Sequence, residues 1–570
     1  MNDQHISLQL VRVKCMDNAG LQRSYMRTNP SHQSVAAVMF GVSTLLILCA
    51  VGGFPLTETA RGLTEPVVAC PPPTQPQGGQ CLLRADATLT KTLRLTSDTK
   101  LNCQGHKLVP RSLGSGLSQR SVPEVAIFLN GVKNVQIQNC VIDGFDFGIF
   151  AVKSKVPAEI RNTPGKLPQL RNKILQNTVN ARFLAISLAS VDNTEVKDNT
   201  IKYTTMGGKG IYVGRDSDLN RIINNTVVGD IAPTPATPAV GAPGPVSKSS
   251  NPEVPEGQAI LITQTLGPDP TLLNAIIEDE LFQLPVVKST KLNADFSEEN
   301  LVEGNTISFT QVPRDGIATA VTLKTTVSGN KVSNNRIAIR AGIQSGRENE
   351  GLPKKFPGGC SAPATGRLCL DNADCKILGT NGSTCINPAP STVGVFWVSD
   401  GFLVDGNTII GPFQTAVATT AKNTVVRGNT ITGQLRPASP GVAILLAGGF
   451  AVGTPTIGTP TIVTRNVVSM VDVSLSLSNN QFPGLEAQTF GARVSLNDFT
   501  GYTTSVRSDI AATLSVNGQG NFWGIPCPLG FDPATVQMVN APTGAVVTDA
   551  HPFRIAIARV SASSLPQPCR

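Results

Sequence analysis

The chain has 570 residues, 40% of them hydrophobic and only 5% aromatic, with 53 glycines and 41 prolines, a balance that favours turn-rich β structure over helical packing. A chain this long ordinarily divides into several domains, except in a solenoid, which grows without needing a new core. The formal charge of +8 is small for the length, and no stretch concentrates Lys and Arg among aromatics, which argues against nucleic acid as a partner.

The first distinct segment is an uncharged apolar run, Val35 to Val51, preceded by Arg12, Lys14, Arg23 and Arg27. It predicts a signal peptide or a single membrane anchor within residues 1–62, and Met26 would serve as the start of an ordinary signal. Membrane contact is expected only through this segment, and the protein is expected to be secreted, periplasmic or at the cell surface. Residues 63–80 read as a Pro-rich linker.

Cysteine usage agrees with export. Beyond Cys15 and Cys49 there remain Cys70, Cys81, Cys103, Cys140, Cys360, Cys369, Cys375, Cys385, Cys527 and Cys569. An even number in an exported chain predicts disulfides. The group from Cys360 to Cys385 has no close pair and no His, so it reads as a disulfide-pinned insertion and not as a zinc knuckle. No metal site is expected.

From about residue 80 a short phrase recurs. It appears as "LQNTV" at Asn177, "KDNTI" at Asn199, "NNTVV" at Asn225, "EGNTI" at Asn305, "SGNKV" at Asn330, "DGNTI" at Asn407 and "RGNTI" at Asn429. A second signature, a small residue before Ile or Val, accompanies it at Gly148-Ile149, Ala185-Ile186, Gly210-Ile211, Ala259-Ile260, Gly316-Ile317, Gly342-Ile343, Gly394-Val395, Ala416-Val417 and Gly441-Val442. Such a period, carried by short alternating runs of β-branched residues, predicts a stack of supersecondary units. Asn at each corner suits the left-handed conformation of a sharp turn, and its amide can bond from coil to coil. About ten or twelve coils at the interstrand spacing would form a rod roughly 50 Å long.

These motifs resemble the right-handed parallel β-helix proteins of the pectate-lyase-like superfamily. The likeness extends to the opening coils, "LRLTSDTKLNCQGHKLVP" (93–110) and "AIFLNGVKNVQIQNCVIDGFDFGIFAV" (126–152), and to the closing "NFWG" (521–524) and "DAHPF" (549–553). The resemblance implies an all-β, right-handed parallel β-helix over 81–525, with a C-terminal cap and tail at 526–570. Insertions are expected at 231–257, 265–300 and 345–392; within the second, Leu273, Ile276, Ile277 and Leu281 would share one face of a helix.

Lyases of that superfamily need a cationic base beside carboxylates, and its hydrolases need paired Asp residues. No paired-Asp motif is present. The stretch "GGKGIYVGRDSD" (207–218) supplies the best basic and acidic cluster, with Lys209, Arg215 and Asp216 as the candidate catalytic residues and Asp218 beside them. Asp143, Asp146 and Asp315 stand on nearby coils. Counting outward from the buried Ile places Phe150, Ser187 and Tyr212 in one solvent-facing column, so Phe150, Tyr212 and Asp146 are the candidate ligand-binding residues. Two functions follow from the sequence: a noncatalytic envelope or extracellular protein that binds polysaccharide, or a lyase, hydrolase or epimerase acting on an acidic glycan. Calcium is expected only in the second case, and no other cofactor in either.

Overall fold

The computed structural model divides into units 1–64 and 65–570. It describes residues 70–111, 124–157, 160, 167–205, 208–214, 217–232, 258–263, 297–311, 313–320, 322–343, 401–419, 423–435, 441–447, 450–452, 461–478, 490–508, 512–514 and 519–524, with shorter pieces within 355–390 and 547–564. The apolar run 35–51, the expected helix at 269–282, Arg215, Asp216, Cys375, Cys527 and Cys569 lie outside the described residues. Among the described residues no helix is long and apolar enough to cross a membrane.

A coil typically consists of three short strands that leave one another at corners and pair in parallel with the coils before and after; in two coils the second and third run on as one strand, Val141–Val152 and Thr178–Ala189. In one coil these strands are Thr194–Lys197, Thr200–Tyr203 and Lys209–Gly214. Val196 pairs with Ile174 and Ile222, Ile201 with Val179 and Val227, and Ile211 with Ile186 and Ile260. Among the described residues twelve such coils stack from Gln80–Leu82 to the coil that ends at Thr504–Ser508. The chain is a right-handed parallel β-helix. We call its three sides the first, second and third faces, in the order that the chain visits them.

The interior column of the first face, Ile137, Ile174, Val196, Ile222, Val302, Val327, Val404, Val426, Val463 and Val494, has no solvent exposure. Its β-branched side chains stack on their own kind, each worth about 1.5–3 kcal/mol for burial. Two of the sequence pairs fall out of phase. Ile339, not Ile343, pairs with Ile317, and Ile444, not Val442, pairs with Val417; Ile343 pairs instead with Ala320, beyond a β-bulge after Ala318.

At the corner between first and second faces the recurrent Asn forms a continuous ladder. The Cys140 N–H donates to Asn177 Oδ1, and Asn177 donates both its N–H and its Nδ2 to Asn199 Oδ1. The same double donation runs through Asn225, Asn305, Asn330, Asn407, Asn429, Asn466 and Asn497 to Asn521. Asn521 then donates twice to the buried carboxylate of Asp549, at 2.8 and 3.1 Å, and Trp523 Nε1 donates to the same oxygen at 3.0 Å. An amide can both accept from the coil below and donate to the coil above; a carboxylate can only accept. Asn therefore relays the ladder and Asp549 ends it.

The N-terminal end of the ladder is covalent. Cys103 and Cys140 are bonded across 37 residues, and Cys70 and Cys81 across 11. The second bond anchors a hairpin, Gln75–Gln77 against Gln80–Leu82, within the stretch expected to be linker. In the third insertion the backbones of Gly358–Cys360, Leu368–Cys369 and Cys385–Ile386 form a small antiparallel sheet. Replacing Cys103 and Cys140 together by serine should destabilise the N-terminal coils by about 4 kcal/mol through the freed loop. Hydrogen exchange at Leu101, Ile137 and Ile142 would register this loss, and unchanged protection there would contradict it.

Candidate functional site

The third face carries the residues that the sequence singled out, but not in the setting expected. Phe150, Ser187 and Tyr212 do stand in one register and do point away from the rod's interior. All three are nonetheless buried, at 1% exposure each. With Phe128, Phe147, Leu184, Leu261 and Ala318 the two aromatics form a second apolar cluster separate from the interior core. Phe128 stacks on Phe150 with ring centroids 6.0 Å apart, and Arg94 lies 5.0 Å from the Phe128 centroid. Strand alternation gives the direction in which a side chain leaves the sheet; it carries no information on whether that side is covered. The expectation of a solvent-facing aromatic column is therefore corrected.

Asp146 is also buried. Its Oδ1 lies 2.8 Å from Arg182 Nη2, and its Oδ2 accepts the Glu124 N–H at 2.9 Å. Charge pairing and a backbone bond hold it as a corner residue. Asp143, by contrast, is partly exposed and lies 2.5 Å from Lys107 Nζ, which raises the Lys107 pKa through that hydrogen bond and charge.

Lys209 occupies the outward column that runs Val125, Phe147, Leu184, Lys209, Gln258, Asp315. The column changes from apolar to polar at Lys209, and all three polar members are fully buried. Arg336 Nε donates to Asp315 Oδ1 at 2.9 Å. Burial lowers the Lys209 ammonium pKa to about 7, because removing water penalises the charged form. Nearby, the Tyr203 hydroxyl is buried without a hydrogen-bond partner. Its pKa is pushed up, by burial first and then by the Asp315 charge, with Arg314 opposing. A side chain at Gly229 would meet the Phe309 ring at 2.5 Å and the Tyr203 hydroxyl at 2.9 Å, so glycine is required at that close approach.

A neutral amine at physiological pH has the chemistry of a general base. The sequence grouped Lys209 with Arg215, Asp216 and Asp218 in one stretch; in the structure Lys209 begins the strand Lys209–Gly214 and is joined in register to Gln258 and Asp315, which lie one and two coils further on. Spacing in the sequence hid this grouping, because insertions separate Lys209 from Asp315 by more than a hundred positions. With no exposure, Lys209 presents no surface to a polymeric chain.

The open surface is of another kind. On the second face the residue after each ladder Asn points outward, and Thr178, Thr200, Thr226, Thr306, Lys331, Thr408 and Thr430 are direct register neighbours from coil to coil. Thr200, Thr226, Thr306, Lys331 and Thr408 are exposed, and Thr178 and Thr430 half-buried. The hydroxyls thus recur at the strand spacing of roughly 4.8 Å. Beside them Lys202 Nζ lies 2.6 Å from Asp230. Hydrogen bonds from Lys202, Thr310 and Gln311 hold the Asp230 carboxyl down to about 2, so that pair adds little net charge to the face.

No family model matches the sequence, and no curated protein matches it. Among solved structures, the surface adhesin PfbA of Streptococcus pneumoniae aligns at 8% identity with a TM-score of 0.38, over 75% of this chain and 86% of that one. The tailspike protein of E. coli bacteriophage HK620, in complex with a pentasaccharide, aligns at 10% identity with a TM-score of 0.38, over 78% of this chain and 64% of that one. A DFA-IIIase from Arthrobacter chlorophenolicus A6, in complex with DFA-III, aligns at 12% identity with a TM-score of 0.32, over 80% of this chain and 76% of that one. At such identities and scores these likenesses assign no activity to the chain.

Proposed function

We propose that this protein is an exported β-helix that binds polysaccharide along its second face without cleaving it. The observation that carries the reading is the exposed threonine track, in which hydroxyls from successive coils repeat in one register. A glycan is itself a repeating polymer of hydroxyls, and many weak bonds in one register add up over its length. The disulfides Cys70–Cys81 and Cys103–Cys140 fit an oxidising compartment, and so support a place outside the cytoplasm.

The test is retention on immobilised acidic and neutral polysaccharides, comparing the protein with a Thr200→Val, Thr226→Val, Thr306→Val variant. Valine keeps the shape and strand preference of threonine and removes only the hydroxyl. Retention of the variant should fall on the order of tenfold. Equal retention of the two proteins would move the binding surface elsewhere.

A second reading rests on Lys209. A buried amine with a pKa near 7 beside Gln258 and Asp315 would serve proton abstraction from an acidic glycan, with calcium as an aid to the substrate carboxylate. It requires an opening that brings the amine to the polymer. Release of new unsaturated ends would favour it.

A further inference from the structure

The threonine track ends, toward the N-terminus, in a groove whose lining is uncharged. The cause is a wide corner in the second coil. Between Asn102 and Lys107 the chain uses four residues, Cys103 to His106, where the two following coils turn with two: Asn139 and Cys140, then Gln176 and Asn177. The extra length stands out as a lip. Beneath it lies a shallow groove of roughly 470 Å³ lined by Asn102, Gln104, Asn139, Gln176 and Thr178, together with Gly105, Cys140 and Val141.

Three properties of this groove bear on its ligand. First, its polar side chains are carboxamides and one hydroxyl, with no formal charge among them, and the neighbouring Lys107–Asp143 pair neutralises itself. Second, it is held in shape. The Cys103–Cys140 disulfide joins its two walls, the Gly105 N–H donates to Asn139 O at 2.7 Å, and the His106 N–H donates to Cys103 O at 2.8 Å. Third, Gln104 and Gln176 are exposed, and each extends from a backbone of positive φ, 53° and 54°. A planar amide offers a donor and an acceptor side by side, the pattern presented by adjacent sugar hydroxyls.

We propose that this groove is a terminal subsite for a neutral sugar unit, Gln104 and Gln176 hydrogen-bonding its hydroxyls while Thr178 hands the chain on to the threonine track. The assignment rests on the polysaccharide reading above and makes it narrower: an uncharged groove gives no advantage to a uronate, whose carboxylate would leave water for a site without a cation.

Calorimetric titration with short neutral gluco-, manno- and galacto-oligosaccharides, and with the corresponding oligouronates, tests it. The variant is Gln104→Gly with Gln176→Gly, since glycine accepts positive φ without strain. We expect a neutral series to bind the protein and to bind the variant about tenfold more weakly, with thermal unfolding unchanged. Equal affinity for the two proteins would overturn the groove assignment while leaving the threonine track as the binding surface. Preference for the uronates would overturn the neutral-sugar assignment. Absence of binding by the unaltered protein to either series, together with no retention on the long polysaccharides, would overturn the polysaccharide reading itself.

Discussion

Replacing Asn305 by leucine should be among the most damaging single changes in the rod, costing roughly 3–6 kcal/mol. Asn305 Oδ1 accepts the Asn225 N–H at 2.8 Å and its Nδ2 at 3.0 Å. Its own Nδ2 donates to Ile222 O at 2.9 Å, Glu303 O at 3.1 Å and Asn330 Oδ1 at 2.9 Å. Leucine fills a similar volume but leaves buried donors of the coil before it without an acceptor, each worth about 1–3 kcal/mol. Asn305→Asp should also be severe, since a carboxylate would face the Asn330 oxygen where a donor is needed. Asp549→Asn, at the end of the ladder, should be mild by comparison. In a solenoid the damage stays with the neighbouring coils, so hydrogen exchange near Ile222, Val302 and Val327 should rise while the first coils stay protected. A leucine variant with ordinary protection at those residues would show that packing alone holds the corner.

Raising pH above 7 should stabilise the coils around Lys209. The folded pKa of about 7 lies below the ordinary lysine value near 10.5. Below pH 7 the amine is protonated in both states, and its desolvation cost is felt in full. Between about 7 and 10.5 only the unfolded chain holds the proton, so stability rises with pH across that window. The size of the relief is on the order of 5 kcal/mol. Lys209→Met, which removes the titration and keeps the length of the side chain, should abolish this part of the pH profile and stabilise the protein most at or below pH 7. A Met variant with the same pH dependence would assign the profile to other groups.

The repeat was legible because its chemistry is local. Each Asn followed by Thr and a β-branched residue marks a corner and the strand after it, and Asn177 through Asn429 fall on the ladder. Asn466, Asn497 and Asn521 belong to it as well, but Val-Val, Asp-Phe and Phe-Trp follow them. What selects them is the amide bond to the next coil, not the phrase around it. Asp549 could not be found by repetition, since it carries a carboxylate where the other members carry an amide. The direction of Phe150 and Tyr212 was also legible, by alternation. Their burial was not, because it depends on what covers the third face. Lys209 and Asp315 illustrate the same limit: each is visible as a charge, but only the fold places them two coils apart in one buried column. The width of the corner at 103–106 emerges only when it is set in register with Asn139 and Gln176.

The most direct test of the proposed function is to incubate the folded protein with acidic and neutral polysaccharides, with and without calcium, and to measure retention and new chain ends in the same samples. Retention on one or more of the polysaccharides, with no new reducing or unsaturated ends in any sample, is the expected result, for the Lys209→Met variant as for the unaltered protein. New ends released by the protein and absent with Lys209→Met would contradict it, and would make the buried amine a catalytic base.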